Sequence, residues 1–291
     1  MPLSNPPEYG QSMLPAGTYA GQVVLITGGG TGLGKAMALE FARLGAAIAI
    51  ISRKPEHLES GMAAIRELGG EVAAVPCDIR DPDQIASAFD QIEEAIGPVT
   101  VLVNNAAANF PVAAETMSAN AWRTVTQIVL DGTFFCATEF TRRRLVAGEG
   151  GAILNIGATY SWTGGPGTAH SAAAKAGVTN LTQSLAVEWA PDDIRVNCLA
   201  PGLFLNEDHP DNLVKGVKGG AGRESSRPAS RVPAGRTGAM HELGWAATYL
   251  CSPFAGYITG HTLVVDGANW LRRSLVMPEF ETVRDTIAPR S

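Results

Sequence analysis

A chain of 291 residues with 45% hydrophobic and only 17% charged residues can bury a substantial core, which excludes a disordered or low-complexity protein. A formal net charge of −6 removes any general attraction to nucleic acid, and no apolar run is long enough to span a bilayer. Cys77, Cys136, Cys198 and Cys251 stand far apart without metal-ligand spacing, so reduced thiols and no metal are expected.

Residues 1–20 are polar and carry Pro2, Pro6, Pro7 and Pro15. With neither a signal-peptide core nor an Arg-rich presequence, they are expected to form a flexible or draped arm on a soluble, cytoplasmic protein. The C-terminal Pro289-Arg290-Ser291 is not a peroxisomal address of the Ser-Lys-Leu type. From residue 21 to residue 270 apolar runs alternate with helical patterns. The run 23–26 ends in Thr27-Gly28-Gly29-Gly30-Thr31-Gly32-Leu33-Gly34, and a helical pattern over 33–44 follows. Glycines there let the backbone turn tightly, while the helix start offers unpaired N–H groups and the positive dipole end to an anion such as a pyrophosphate.

Next come 47–51 with a helix over 55–68, and 72–75 with a helix over 82–96. The run 99–103 is followed by a loop and one long helix over 119–147, then 152–156 with a helix over 171–189. The runs 196–199 and 262–265 flank a helix over 241–251. Short Val/Ile/Leu runs alternating with helices predict an α/β fold: a single Rossmann-like, doubly wound domain of about seven parallel strands flanked by helices. Arg142-Arg143-Arg144 reads as a solvated, dipole-compensating helix end.

The stretch 206–238 breaks this rhythm with many glycines, prolines and basic residues. Its place beyond a strand end, in an otherwise acidic chain, favours a substrate-covering loop over a solvated insertion. The tail over 271–291, with Trp270 before it, is expected at a subunit interface. The second strand ends in Ser52-Arg53-Lys54, where a carboxylate would be needed to bind the ribose 2′-OH of NAD. Arg53 and Lys54, aided by Lys35, are suited instead to the 2′-phosphate of NADPH.

The glycine turn, Cys77-Asp78-Ile79, Asn104-Asn105-Ala106-Ala107 and Pro201-Gly202 together resemble the short-chain dehydrogenase/reductase family over roughly residues 20 to 270. The resemblance implies a cofactor site of Gly28, Thr31, Gly32, Leu33, Gly34, Ser52, Arg53, Lys54, Asp78, Ile79, Asn105, Ala106, Ala107, Lys175, Pro201, Gly202 and Leu203, with Asp78 at the adenine and Pro201-Gly202 at the nicotinamide. It also implies a homotetramer. The family's usual carbonyl chemistry pairs a Tyr acid/base with a Lys four residues later. Lys175 is present, but Ser171 stands at the Tyr position, Ala158 at the usual Ser and Val129 at the usual Asn. A serine hydroxyl is a poor proton donor to an alkoxide.

Asn104 through Phe110, with Ser171, Lys175 and a displaced Tyr160, resembles instead the NADPH-dependent 2,4-dienoyl-CoA reductase branch. That resemblance implies an acyl-CoA substrate, Tyr160 donating to the thioester oxygen, Lys175 on the cofactor ribose and Ser171 positioning a water. Asn109 and Phe110 become substrate-pocket wall by resemblance, or an ordinary strand-end loop. Asp131 falls where a second donor is expected. An ionised carboxylate would repel a dienolate, so Asp131 serves catalysis only if protonated and is otherwise structural. His170 reads as pocket wall. The alternatives are another short-chain oxidoreductase (a 3-oxoacyl, carbonyl or trans-2-enoyl-CoA reductase) or a non-catalytic NADPH-binding protein.

Overall fold

The computed structural model describes residues 3–204, 232–271 and Val283. Seven strands form one parallel sheet in the order β3-β2-β1-β4-β5-β6-β7. They are β1 (Val23–Thr27), β2 (Ala47–Ser52), β3 (Val72–Pro76), β4 (Val99–Asn104), β5 (Gly151–Ile156), β6 (Ile194–Pro201) and β7 (Thr262–Val265). The order reverses between β1 and β4, and the crevice at such a switch point is where doubly wound sheets take ligands.

Side chains alternate along each strand, so the sheet carries two cores. Leu25, Ile51 and Val75 face α3 (Pro82–Ile96), α5 (Gly132–Ala147) and α7 (Ala169–Trp189), where Phe89, Phe140 and Leu185 pack on them. Ile26, Ile48 and Ile50 face α1 (Gly32–Arg43), α2 (Pro55–Glu67) and α8 (Met240–Cys251), where Phe41, Ile65 and Leu243 meet them. Each such fully buried side chain stabilises the fold by about 1.5–3 kcal/mol. Local signals place the helix ends. Asp81 caps α3 by accepting from the Asp83 and Gln84 N–H groups, and Gly148, at φ 68°, closes α5 in the left-handed conformation that glycine adopts without strain.

The helix expected over 119–147 is interrupted. It consists of α4 (Ala119–Thr126), a π-helical turn over Gln127–Asp131, and α5. The wide turn displaces the usual i to i−4 bonding, and the Thr133 hydroxyl donates to the Val129 carbonyl at 2.7 Å. Composition carries no mark of one extra residue in a turn, so periodicity reads straight through it.

Two expectations change in detail. The three arginines are not a solvated end, because α5 packs against α3 and meets its carboxylates. Arg143 pairs with Asp90, Glu93 and Glu139 at 2.8 Å each, and buried Arg144 donates to the Gly150 carbonyl at 2.8 Å. Trp270 packs within the chain, edge-on to Trp162 with ring centroids 5.5 Å apart.

Residues 3–19 lie across α8 and the segment before it. The Leu3 N–H donates to the Ala234 carbonyl at 2.8 Å, Arg236 Nε to the Ser4 carbonyl at 3.2 Å, and Trp245 Nε1 to the Gln11 carbonyl at 3.0 Å. Tyr19, inside the expected arm, is fully buried, and its hydroxyl donates to the Thr248 carbonyl. Residues 205–231 of the expected covering loop, and all but Leu271 and Val283 of the expected tail, lie outside the described residues.

Candidate functional site

The expected site residues come from the carboxyl ends of β1 to β6 and the start of α7. At the end of β1, Gly28 (φ 65°) and Gly32 (φ 52°) hold backbone conformations that other residues adopt only with strain. Gly34 answers a different need: a Cβ there would run into the Gly28 carbonyl and lie 2.6 Å from Asn105 Nδ2. Thr31, the N-cap of α1, makes no side-chain capping bond, and no acidic residue occupies the first turn. A twelve-residue helix therefore presents its N–H groups and its dipole uncompensated beside Leu33 and Gly34, and a dinucleotide pyrophosphate fits that cradle.

Asn105 ties this turn to the end of β4. Its Nδ2 donates to the Thr27 carbonyl at 2.9 Å and the Gly28 carbonyl at 3.3 Å, while the Asn105 and Ala106 N–H groups both donate to Thr27 Oγ1 at 2.9 Å. Thr27, fully buried, is a residue that sequence reasoning passed over, although it opens the glycine motif. Beyond β2, Ser52 Oγ accepts from the Lys54 N–H at 3.4 Å, and the Arg53 and Lys54 side chains are exposed. Arg53 approaches Asp78 to 4.0 Å. Arg80, also unforeseen, grips both Asp78 carboxylate oxygens from two residues on and holds that carboxyl well below the usual carboxylate range. Ile79 is buried, and its side chain lies against Gly132 at the start of α5.

At the end of β6, Gly202 donates its N–H to the Val265 carbonyl at 2.9 Å, and a Cβ on it would collide with Asp266. Leu203 accepts from the Gly238 N–H at 3.0 Å, joining the strand end to the far root of the expected covering loop. Ala107 and Asn109 are exposed, whereas Phe110 is partly buried.

Tyr160 begins the short helix α6 (Tyr160–Thr163) just after β5, and its hydroxyl lies 3.1 Å from Ser171 Oγ. Burial raises the Tyr160 pKa, with the Ser171 hydrogen bond opposing it. The phenol therefore stays protonated, a hydrogen-bond donor rather than a proton shuttle. Ser171 and Lys175, four apart on α7, share a face. Lys175 is buried, its Nζ donates to the Ile156 carbonyl at the end of β5, and burial lowers its pKa to about 8, slightly offset by the nearby Cys198 thiol. Asp131 closes the π-helical turn and is half-buried, with no side-chain capping bond to α5. The structure thus joins Tyr160, Ser171 and Lys175 around one turn of α7, while Asp131 sits on a separate helix that packs alongside.

A family model described as "Enoyl-(Acyl carrier protein) reductase" matches residues 28–268. A Bacillus subtilis (strain 168) protein named probable 2,4-dienoyl-CoA reductase [(2E)-enoyl-CoA-producing] is 40% identical over 251 residues, covering 86% of this chain and 97% of its own. The peroxisomal 2,4-dienoyl-CoA reductase [(3E)-enoyl-CoA-producing] of Rattus norvegicus is 37% identical over 251 residues, covering 86% and 84%. The crystal structure of a short chain dehydrogenase from Bacillus anthracis superposes with a TM-score of 0.78 at 40% identity, over 87% of this chain and 98% of that one.

Proposed function

The chain belongs to the short-chain dehydrogenase/reductase family of oxidoreductases, and from that premise we propose that it reduces a 2,4-dienoyl-CoA to an enoyl-CoA with NADPH. The reading is supported by relatives named for that reaction. The observation that carries it is the Tyr160 hydroxyl 3.1 Å from Ser171 Oγ, with a raised pKa, where a carbonyl reductase would need a phenol lowered by its lysine.

When bound, NADPH supplies the hydride that goes to the far end of the conjugated acyl chain. The pyrophosphate would rest on the Gly28–Gly34 turn, and Arg53 and Lys54 would face the 2′-phosphate. Asp78 and Ile79 would flank the adenine, and Pro201, Gly202 and Leu203 the nicotinamide. Charge then develops on the thioester oxygen as a dienolate. A protonated Tyr160 hydroxyl, aligned by Ser171, stabilises that charge without moving a proton. Lys175, fixed by the Ile156 carbonyl, orients the ribose, and a water near Ser171 protonates the acyl chain. Phe110 and Asn109 wall the acyl group, and the enzyme works as a cytoplasmic homotetramer.

The test is NADPH oxidation followed at 340 nm with a 2,4-dienoyl-CoA, alongside a β-ketoacyl thioester. Turnover of the first and not of the second is expected. The reverse would replace this reading with carbonyl reduction, and NADPH binding without any turnover would make the protein a cofactor-binding scaffold. The two relatives are named for different products, so chromatographic assignment of the product as 2E or 3E places the chain beside one of them.

A further inference from the structure

A dienolate oxygen is best held by more than one donor. The site above offers Tyr160, whereas the other expected position, Asp131, brings a carboxylate, which only accepts when ionised. His170 stands one residue before Ser171 on α7. Its ring is fully buried and packs edge-on against Phe110, with centroids 4.5 Å apart and planes at 81°. Neither ring nitrogen has a partner at hydrogen-bonding distance and angle among the described residues. Burial also holds the imidazole pKa below the usual histidine value, the Thr168 backbone only partly opposing it. The ring is therefore neutral near pH 7, with one N–H donor and one bare nitrogen.

Buried polar groups in folded proteins are nearly always paired, because an unpaired one gives up its bonds to water for nothing. A histidine that only walled a pocket would be replaced to advantage by an apolar ring. On α7, His170 and Ala174 share the face that meets Val129 and Phe110, while Ser171 and Lys175 share the adjoining one. The imidazole thus borders both the loop after β4 and the helical turn that holds Tyr160.

We propose that His170 is a second hydrogen-bond donor of the site, giving its N–H to the thioester oxygen that Tyr160 also binds. The assignment rests on the dienoyl-CoA reading. It makes Asp131 dispensable at the oxyanion and gives the unpaired imidazole its partner only when substrate is present.

The test uses the full-length enzyme with NADPH and a 2,4-dienoyl-CoA. His170→Phe keeps an aromatic ring against Phe110 and removes both nitrogens, whereas His170→Gln restores an N–H. The Phe variant is expected to lose about 100-fold in kcat, with unchanged NADPH affinity by fluorescence titration and an unchanged or higher melting temperature. The Gln variant is expected to regain about tenfold of that loss. Independently of turnover, nitrogen-15 NMR of the wild-type histidines should show one imidazole N–H moving downfield when a saturated acyl-CoA binds with NADP+, and that signal should be missing from the Gln variant. An unmoved imidazole, a Phe variant within about twofold of wild type, or a Phe variant that loses NADPH binding in step with kcat overturns the assignment and leaves the dienoyl-CoA reading standing. A wild-type enzyme idle on every dienoyl-CoA overturns both.

Discussion

Where β1 and β4 end, the site is made of backbone: glycines at 28, 32 and 34, the open first turn of α1, and main-chain N–H groups pinned by Thr27 and Asn105. Where β5 ends and α7 begins, it is made of side chains taken out of water: Tyr160, His170, Ser171 and Lys175. A backbone cradle is already satisfied within itself and waits for an anion. The side-chain half holds perturbed and unpaired groups, the ordinary mark of a place where charge appears during a reaction. Binding and chemistry are thus separable in this molecule, and substitutions should divide along that line.

The largest effect is expected in the backbone half. Gly34→Val places atoms on the Gly28 carbonyl and Asn105 Nδ2, so calorimetric titration should find no NADPH binding, with a stability loss of about 1–3 kcal/mol from overpacking. Tyr160→Phe tests the other half. It should lower kcat by about 100- to 1000-fold while the NADPH dissociation constant stays put, and unchanged turnover would remove the phenol from the mechanism. Arg53→Ala sharpens the cofactor side alone. Because Arg53 is 51% exposed, its charge is screened, and about a tenfold rise in KM for NADPH, with none for NADH, is the expected size.

The smallest effect near neutrality is a pH dependence. Lys175 has its pKa lowered from 10.5 to about 8, so the charged form is lost as pH rises through about 8 and kcat/KM should fall on that limb. Lys175→Arg, which stays charged, should move the limb upward. Stability runs the other way. Between about 8 and 10.5 the unfolded lysine binds a proton that the folded one does not, so this residue's contribution to stability rises with pH. A fall in both quantities over that window would assign the limb to another group.

Sequence alone exposed the backbone half well, because glycine is the residue that positive φ and close approach select, and its positions can be read without coordinates. Strand and helix order followed from apolar periodicity for the same reason: the sheet is buried on both faces, and its runs of Val, Ile and Leu are short and unbroken. Arg80 was hidden, since a side chain that braces another two residues away has no motif of its own. The carboxylate partners of Arg143 were hidden too, because they lie on α3, about fifty residues back, and only the packing of two helices brings them together. His170 was visible as a letter, yet the lack of any partner for its nitrogens is a property of three-dimensional surroundings.

The π-helical turn at Gln127–Asp131 has a consequence for anyone aligning this chain by counting. One surplus residue in a helix advances every later position by about 100° around the axis, so a ruler laid from Ala119 points the wrong way by Gly132. Removing a single residue from that turn would swing Asp131 and everything behind it onto a different side, a larger reorganisation than any point change nearby.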